Sequence, residues 1–236
     1  MTFNNRIILG GDFIGDEDGS EIISVIADSD FEDDNKGTYP DNLPILPLRN
    51  TVLFPGVVFP VTVGRDKSIK LIQDAYKGDK IIGVVAQKDQ NIEDPTAKDL
   101  YPVGTLAHIL KMLKMPDGNI TVIIQGKRKF KLDEITQEEP YFRGNITATT
   151  DSKANKGKET NATVSSIRDL ASQIVEVSPN IPSEASFALK NINSPNFLVN
   201  FISSNLNVSV DEKQEILELS VFKKKANRVL TYLDKE

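Results

Sequence analysis

Few side chains in this 236-residue chain are of types that do covalent chemistry. There is no cysteine, so no disulfide framework, thiolate zinc site or cysteine nucleophile is available. The single histidine, His108, stands between Ala107 and Ile109. A catalytic triad or zinc site needs partners in fixed geometry, and a lone His among apolar neighbours reads as structural. ATPase-type phosphate binding needs the spacing G-x-x-x-x-G-K-[ST]. Gly126-Lys127 is followed by Arg128 and has Thr121 where the first glycine belongs. Gly157-Lys158 is followed by Glu159 and has Ser152 at that position. No P-loop, no catalytic residue and no metal site is therefore assigned.

Two groups of residues are suited to binding. Lys111, Lys114, Lys127, Arg128, Lys129 and Lys131 surround the turn at 116–119. A basic strand beside Phe130 could track the phosphates of a nucleic acid through Lys127, Arg128, Lys129 and Lys131. Simple alternation also produces such a row as a solvated strand face, and no series of aromatics for base stacking accompanies it. The second group is Met112, Leu113 and Met115, on the arm leading into the turn. Methionine is soft and adapts to unrelated sequences, which suits a surface that contacts many polypeptides. Core filling is the plainer reading of the same stripe. Phe54 and Pro55, with Tyr141 and Phe142, are lesser candidates by the same argument.

The elements that position these residues change character along the chain. Residues 43–150 read mostly as strands. Residues 57–63 are a β-branched run, 81–86 an all-apolar strand buried on both faces, and 141–150 a further strand. Pro116-Asp117-Gly118-Asn119 is a hairpin turn between strands at 106–115 and 120–132. On the second strand Phe130 and Leu132 are expected to point inward and Lys127, Lys129, Lys131 and Asp133 outward. A helix is expected over 65–77, stopped by Gly78. Residues 151–158 (DSKANKGK) read as a polar linker, and the period beyond it is helical. One amphipathic helix carries Val164, Ile167, Leu170, Ala171 and Ile174. A short second one, capped by Ser183, holds Phe187, Leu189 and Ile192. Ser194-Pro195 opens a third. Ser209 and Glu212 form a capping box for a last helix, expected to run unbroken to the chain end over roughly 40 Å at 1.5 Å per residue. That helix lacks a stop signal, so the chain is expected to be a fragment of a longer protein.

The net charge of −6 is unevenly distributed. Residues 11–41 hold eleven of the 34 acids and one base, Lys36; beyond residue 41, with Arg6 also set apart, 26 bases face 23 acids, a net charge of about +3. Residues 1–41 therefore read as a disordered acidic tail. No run is long and apolar enough to span a membrane, which by elimination places the chain in the cytoplasm.

Residues 43–56 read LPILPLRNTVLFPG, with Pro44, Pro47 and Pro55 interleaved among large apolar side chains and Pro60 just beyond. Proline donates no ladder hydrogen bond, so this strand suits the edge or seam of a small, tightly curved barrel. The stretch resembles the opening of the amino-terminal, PUA-like substrate-binding domain of the Lon proteases. VGRDKSIKLI (63–72), VVAQKD (84–89), VGTLAHILKMLKMPDG (103–118) and EEPYFRG (138–144) agree with it. The resemblance implies an α+β fold: a PUA-like β domain over 42–150 holding one helix, then a helical domain over 159–236 that starts a long connecting helix. It also implies substrate recognition for an ATP-dependent serine protease that degrades misfolded, damaged and regulatory proteins. ATP, Mg²⁺ and the Ser–Lys dyad would belong to modules outside this chain, and the parent would be a hexamer. The alternative is a freestanding PUA-like module that binds RNA or a partner protein.

Overall fold

The computed structural model describes residues 39–116, 118–177 and 189–235. The expected acidic tail, up to residue 38, lies outside the described residues, as do Ser183 and Phe187 of the expected short helix. Leu189 and Ile192 from the same stretch are buried. The strands are β1 (Asn42–Leu48), β2 (Val58–Val63), β3 (Ile81–Ala86), β4 (Val103–Lys114), β5 (Ile120–Gln137) and β6 (Arg143–Ala148). The helices are α1 (Asp66–Lys77), α2 (Lys158–Val177), α3 (Pro195–Asn205), α4 (Val210–Glu218) and α5 (Phe222–Leu233).

The sheet runs β2-β5-β4-β3-β1-β6, and a further β5–β6 pairing closes it. The closed ring is β5-β4-β3-β1-β6, and β2 is an extra strand outside it. Closure is possible because β5 is 18 residues long. The same edge of β5 takes β2 along its first half and β6 along its second. Register shifts near Leu106 and Ile109 in β4 and near Leu132 and Ile135 in β5 accompany the bending. Among the described strands only β1 and β3 pair in parallel.

The proline-rich β1 is a seam. It pairs with β6 over Asn42, Leu43 and Pro44, and with β3 from Ile45 to Leu48. The Ile45 N–H donates to Phe142 O on the β6 side, and Leu48 O accepts from Gln87 N on the β3 side. By alternation the Pro47 nitrogen faces the side where β6 has already ended, so its missing donor breaks no ladder.

Successive β1 residues feed two cores. Leu43 and Ile45 join Val85, Leu106, Phe130 and Ile146 in one cluster. Leu46 and Leu48 join Leu71 and Ile72 of α1, with Ile82, Ile109, Val122 and Ile124, in another. Phe130 is fully buried, and a Cβ on Gly104 would lie 2.8 Å from its ring, so only glycine leaves room for it. The turn at Gly118 (φ 87°) uses the left-handed conformation expected of glycine there. The third cluster spans barrel and helices. Val52, Phe54, Val57 and Ala86 pack with Ile167, Leu198, Ile216, Val229 and neighbours.

Ser194 accepts from Phe197 N at the start of α3, and Ser209 and Glu212 form the expected capping box of α4. The expected unbroken last helix is corrected: α4 ends at Glu218 and α5 begins at Phe222. Leu219 (ψ 117°) and Val221 (φ −90°, ψ 116°) are extended. The carbonyls freed by the break are taken up by a lysine from the barrel, Lys129.

Candidate functional site

Beyond the reach of β3, the end of β4 pairs with β5 alone. Together with β2 it forms a three-stranded arm that ends in the turn after Met115. Thr62, Thr121 and Leu113 lie directly across from one another on its three strands. Such opposed residues share one face of a sheet. Leu113 is 41% exposed and Met115 44%. Leu110, at the β4 bulge, is 39% exposed and joins them as a residue the sequence reading missed. The irregularity at Ile109–Lys111 is what turns it out, and apolar periodicity carries no signal for a bulge.

The remaining apolar candidates separate. Met112 is half-buried and packs on the core beneath α1. Phe54 is fully buried between barrel and helices, and Phe142 is 7% exposed inside the barrel, so neither presents a surface. Pro55 is half-buried, and its carbonyl accepts from Asn200 Nδ2 at 3.1 Å. Tyr141 is half-buried against the same core as Met112.

The basic row is also divided. Lys129, expected on the solvent face of β5, is 3% exposed because helices α4 and α5 cover that face. Its Nζ donates to Leu217 O at 3.0 Å and Ser220 Oγ at 3.1 Å, and lies 2.5 Å from Asp151 Oδ1. Lys225 Nζ pairs with the other Asp151 oxygen and is equally buried. Burial pushes the Lys225 pKa down; Asp151 opposes this and Lys129 adds to it. Arg128 is committed to Thr149 O and Thr150 Oγ1. Lys127 is half-buried, and Lys131, Lys111 and Lys114 are exposed. His108 is half-buried in β4, opposite Ile81 and Gln125.

More polar contacts join helices to barrel. Gln214 Nε2 donates to Val103 O at 2.9 Å, and the Tyr101 hydroxyl donates to Asp211. Burial and that carboxylate push the Tyr101 pKa up to about 12. Alongside the junction runs a half-open cleft of about 1040 Å³, between β2, the start of α1 and the Phe201–Asn205 end of α3.

An α+β module, a closed barrel with a helical layer sharing its core, is the class of protein this fold defines. The family model of the ATP-dependent protease La (LON) substrate-binding domain matches residues 42–235. The Lon protease of Flavobacterium johnsoniae is 51% identical over 92% of this chain, and that of Cytophaga hutchinsonii 44% over 94%. The chain spans about a quarter of the length of these relatives, 27% of each. Among solved structures, the N-terminal domain of Mycobacterium avium complex Lon protease superposes with a TM-score of 0.67 at 16% identity. That match covers 83% of this chain and 99% of the other. The Lon N-terminal domain protein from Xanthomonas campestris gives 0.59 at 16% identity, over 80% and 97% of the two chains. These two likenesses concern the fold. This chain belongs to the LON substrate-binding domain family.

Proposed function

We propose that this chain is the substrate-recognition region of a Lon-type ATP-dependent serine protease acting on misfolded, damaged and selected regulatory proteins in the cytoplasm. In this reading the ATP- and Mg²⁺-dependent motor and the proteolytic dyad belong to other parts of the parent protein. A hexameric parent offers six copies of a weak site, which raises the effective concentration of contacts along one unfolded chain. Among the described residues no helix is long and apolar enough to cross a membrane.

The observation that carries the reading is the exposed apolar end of the β4–β5 arm, Leu110, Leu113 and Met115. Unfolded proteins expose apolar segments, and clustered exposed apolar groups bind them weakly without a sequence code. The alternative, nucleic acid, would use Lys127, Arg128, Lys129 and Lys131, of which Lys129 is buried in an ion pair and Arg128 is already bonded.

The test is substitution of Leu113→Ser and Met115→Ser, singly and together, with binding of an unfolded polypeptide measured by fluorescence anisotropy. Each side chain is about two-fifths exposed, so stability should change by less than about 1 kcal/mol per site while affinity falls. Met112→Ser, which reaches into the core, should cost more, on the order of 2 kcal/mol. Binding by the arm should vary little between low and moderate salt, whereas phosphate contacts would weaken steeply. Full-strength binding by the double variant would remove the arm from the reading.

A further inference from the structure

Among the described residues, strand β2 is paired on one side only. The Gly126 N–H donates to Val57 O at 2.9 Å, which sets the alternation along the strand. Phe59, Val61 and Val63 turn their backbone groups toward β5, and Val58, Pro60 and Thr62 turn theirs away. Pro60 fits this phase, since it has no N–H to give to β5. None of the backbone hydrogen bonds made outside the strands among the described residues uses Val58, Pro60 or Thr62. The outer edge therefore leaves an acceptor free at Pro60 and a donor and an acceptor at the exposed Thr62, and a further donor and acceptor at Val58, which is 5% exposed but lines the cleft.

This edge opens into the cleft. Every residue from Val57 to Gly64 lines the cavity. A strand that presented one face would contribute alternate residues, so an unbroken run marks the backbone edge itself. The opposite wall is Phe201, Ser204 and Asn205 of α3. One end carries Arg49 and Arg65, and the buried Arg49 Nε has no hydrogen-bond partner among the described residues, so it calls for an acceptor. Glu93 and Asp94 stand nearby, giving the rim both signs of charge.

We infer that the outer edge of β2 is a binding site for an extended segment of unfolded polypeptide, which adds to the sheet as a further strand. The inference deepens the proposed function and rests on it. Main-chain hydrogen bonds recognise any extended segment whatever its side chains, which is the property a receptor for unrelated unfolded proteins needs. The walls of the cleft hold the segment's side chains, and Arg49 takes a carbonyl or carboxylate from it. Pro60 removes one donor from the middle of the edge, which protects it against indiscriminate pairing with other copies of this chain. The cleft does the same by admitting a single strand from one side. On the arm, an added strand would continue the row Leu113–Thr121–Thr62, so the apolar end and the open edge would grip one segment together.

The test uses this chain and a ten-residue peptide of Leu, Val, Thr and Lys, in unmodified form and in two N-methylated forms that block alternate sets of amides. One methylated set should lower affinity about tenfold and the other should leave it nearly unchanged, since only one set faces β2. Thr62→Pro, which removes an outward N–H and no backbone bond to β5, should weaken the unmodified peptide to a similar degree, and Thr62→Val, which loses only the hydroxyl contact with Thr121 at 3.1 Å, should not. If that variant fails to fold, amide exchange on the unaltered chain decides, and the Val58 and Thr62 N–H groups should gain protection when peptide is added. Peptide binding that is indifferent to both methylation patterns, with no new protection at Val58 and Thr62, overturns strand addition while leaving apolar holding by the arm intact. Absence of binding by the unmodified peptide and by unfolded protein overturns the proposed function as well.

Discussion

Asp151 pairs with two ammonium groups at once. Lys129 and Lys225 are each 3% exposed and approach its two oxygens from the barrel and from α5. Two buried cations on one carboxylate leave a net positive charge, partly offset by the carbonyls of Leu217 and Leu219 and by Asn200 Oδ1. Removing one member of a buried ion pair leaves an uncompensated charge, so Asp151→Asn should cost about 3–5 kcal/mol in denaturant unfolding. A loss under about 1 kcal/mol would show that water already screens the cluster. The pH response comes from Lys225, whose pKa is lowered by burial from its ordinary value of 10.5. The folded state releases that proton before the unfolded state does. The penalty for a charged Lys225 is complete below its folded pKa and fades as pH rises from there toward 10.5. Relative to Lys225→Met, the unaltered chain should therefore gain stability across that window, and a flat or falling difference would contradict the assignment. None of this was visible in the alternation of β5, which sends Lys129 outward correctly but carries no information about which helices cover that face.

At the scale of elements, sequence and structure agree wherever the signal is local. The caps at Ser194 and Ser209, the turn at Gly118, the all-apolar β3 and the seam strand β1 each arise from residues a few positions apart. The α4–α5 break has no local signal. Ile216, Phe222, Ala226, Val229 and Leu233 are all buried in one cluster, so the apolar phase runs straight through. What allows the break lies far upstream. Lys129 is 88 residues from Leu217, and Ser152 is 70 residues from Phe222. Val221, the residue before α5, makes no side-chain cap bond of its own. Ser152 supplies it instead, with Oγ accepting from Phe222 N at 2.8 Å and its own N–H donating to Ser220 O at 2.8 Å. Ser152→Ala removes the first of these bonds and keeps the second. It should cost about 1 kcal/mol, the usual value of an N-cap side chain, and should speed amide exchange at Phe222. Unchanged exchange there would mean that the start of α5 is held by packing alone.

For the whole molecule, the shift from strands to helices at 151–158 marks a change of secondary structure, but the largest core crosses it. Val52, Phe54, Val57 and Ala86 of the barrel are buried with the apolar faces of α2, α3, α4 and α5. Phe54 is completely buried at that junction, and the Asn200 bond to the Pro55 carbonyl and the Thr105 bond to Leu53 O at 2.6 Å fix the turn that carries it. A sequence reading that looks for exposed aromatics near a turn selects Phe54 as a contact residue, because the partner that covers it lies more than a hundred residues away, with Asn200 145 positions from Pro55. We expect the barrel and the helices to unfold as one cooperative unit. Phe54→Ala should cost about 3–5 kcal/mol through the cavity it leaves, and a single calorimetric transition should move down as a whole. Amides in β3 and in α5 should lose exchange protection together, since both draw on the core that Phe54 fills. Two resolved transitions, with only the helical one displaced, would instead separate the helices from the barrel as independent folding units. In that case the cleft beside β2 would open and close with their relative motion, and peptide affinity in Phe54→Ala would fall in step with loss of the helical transition.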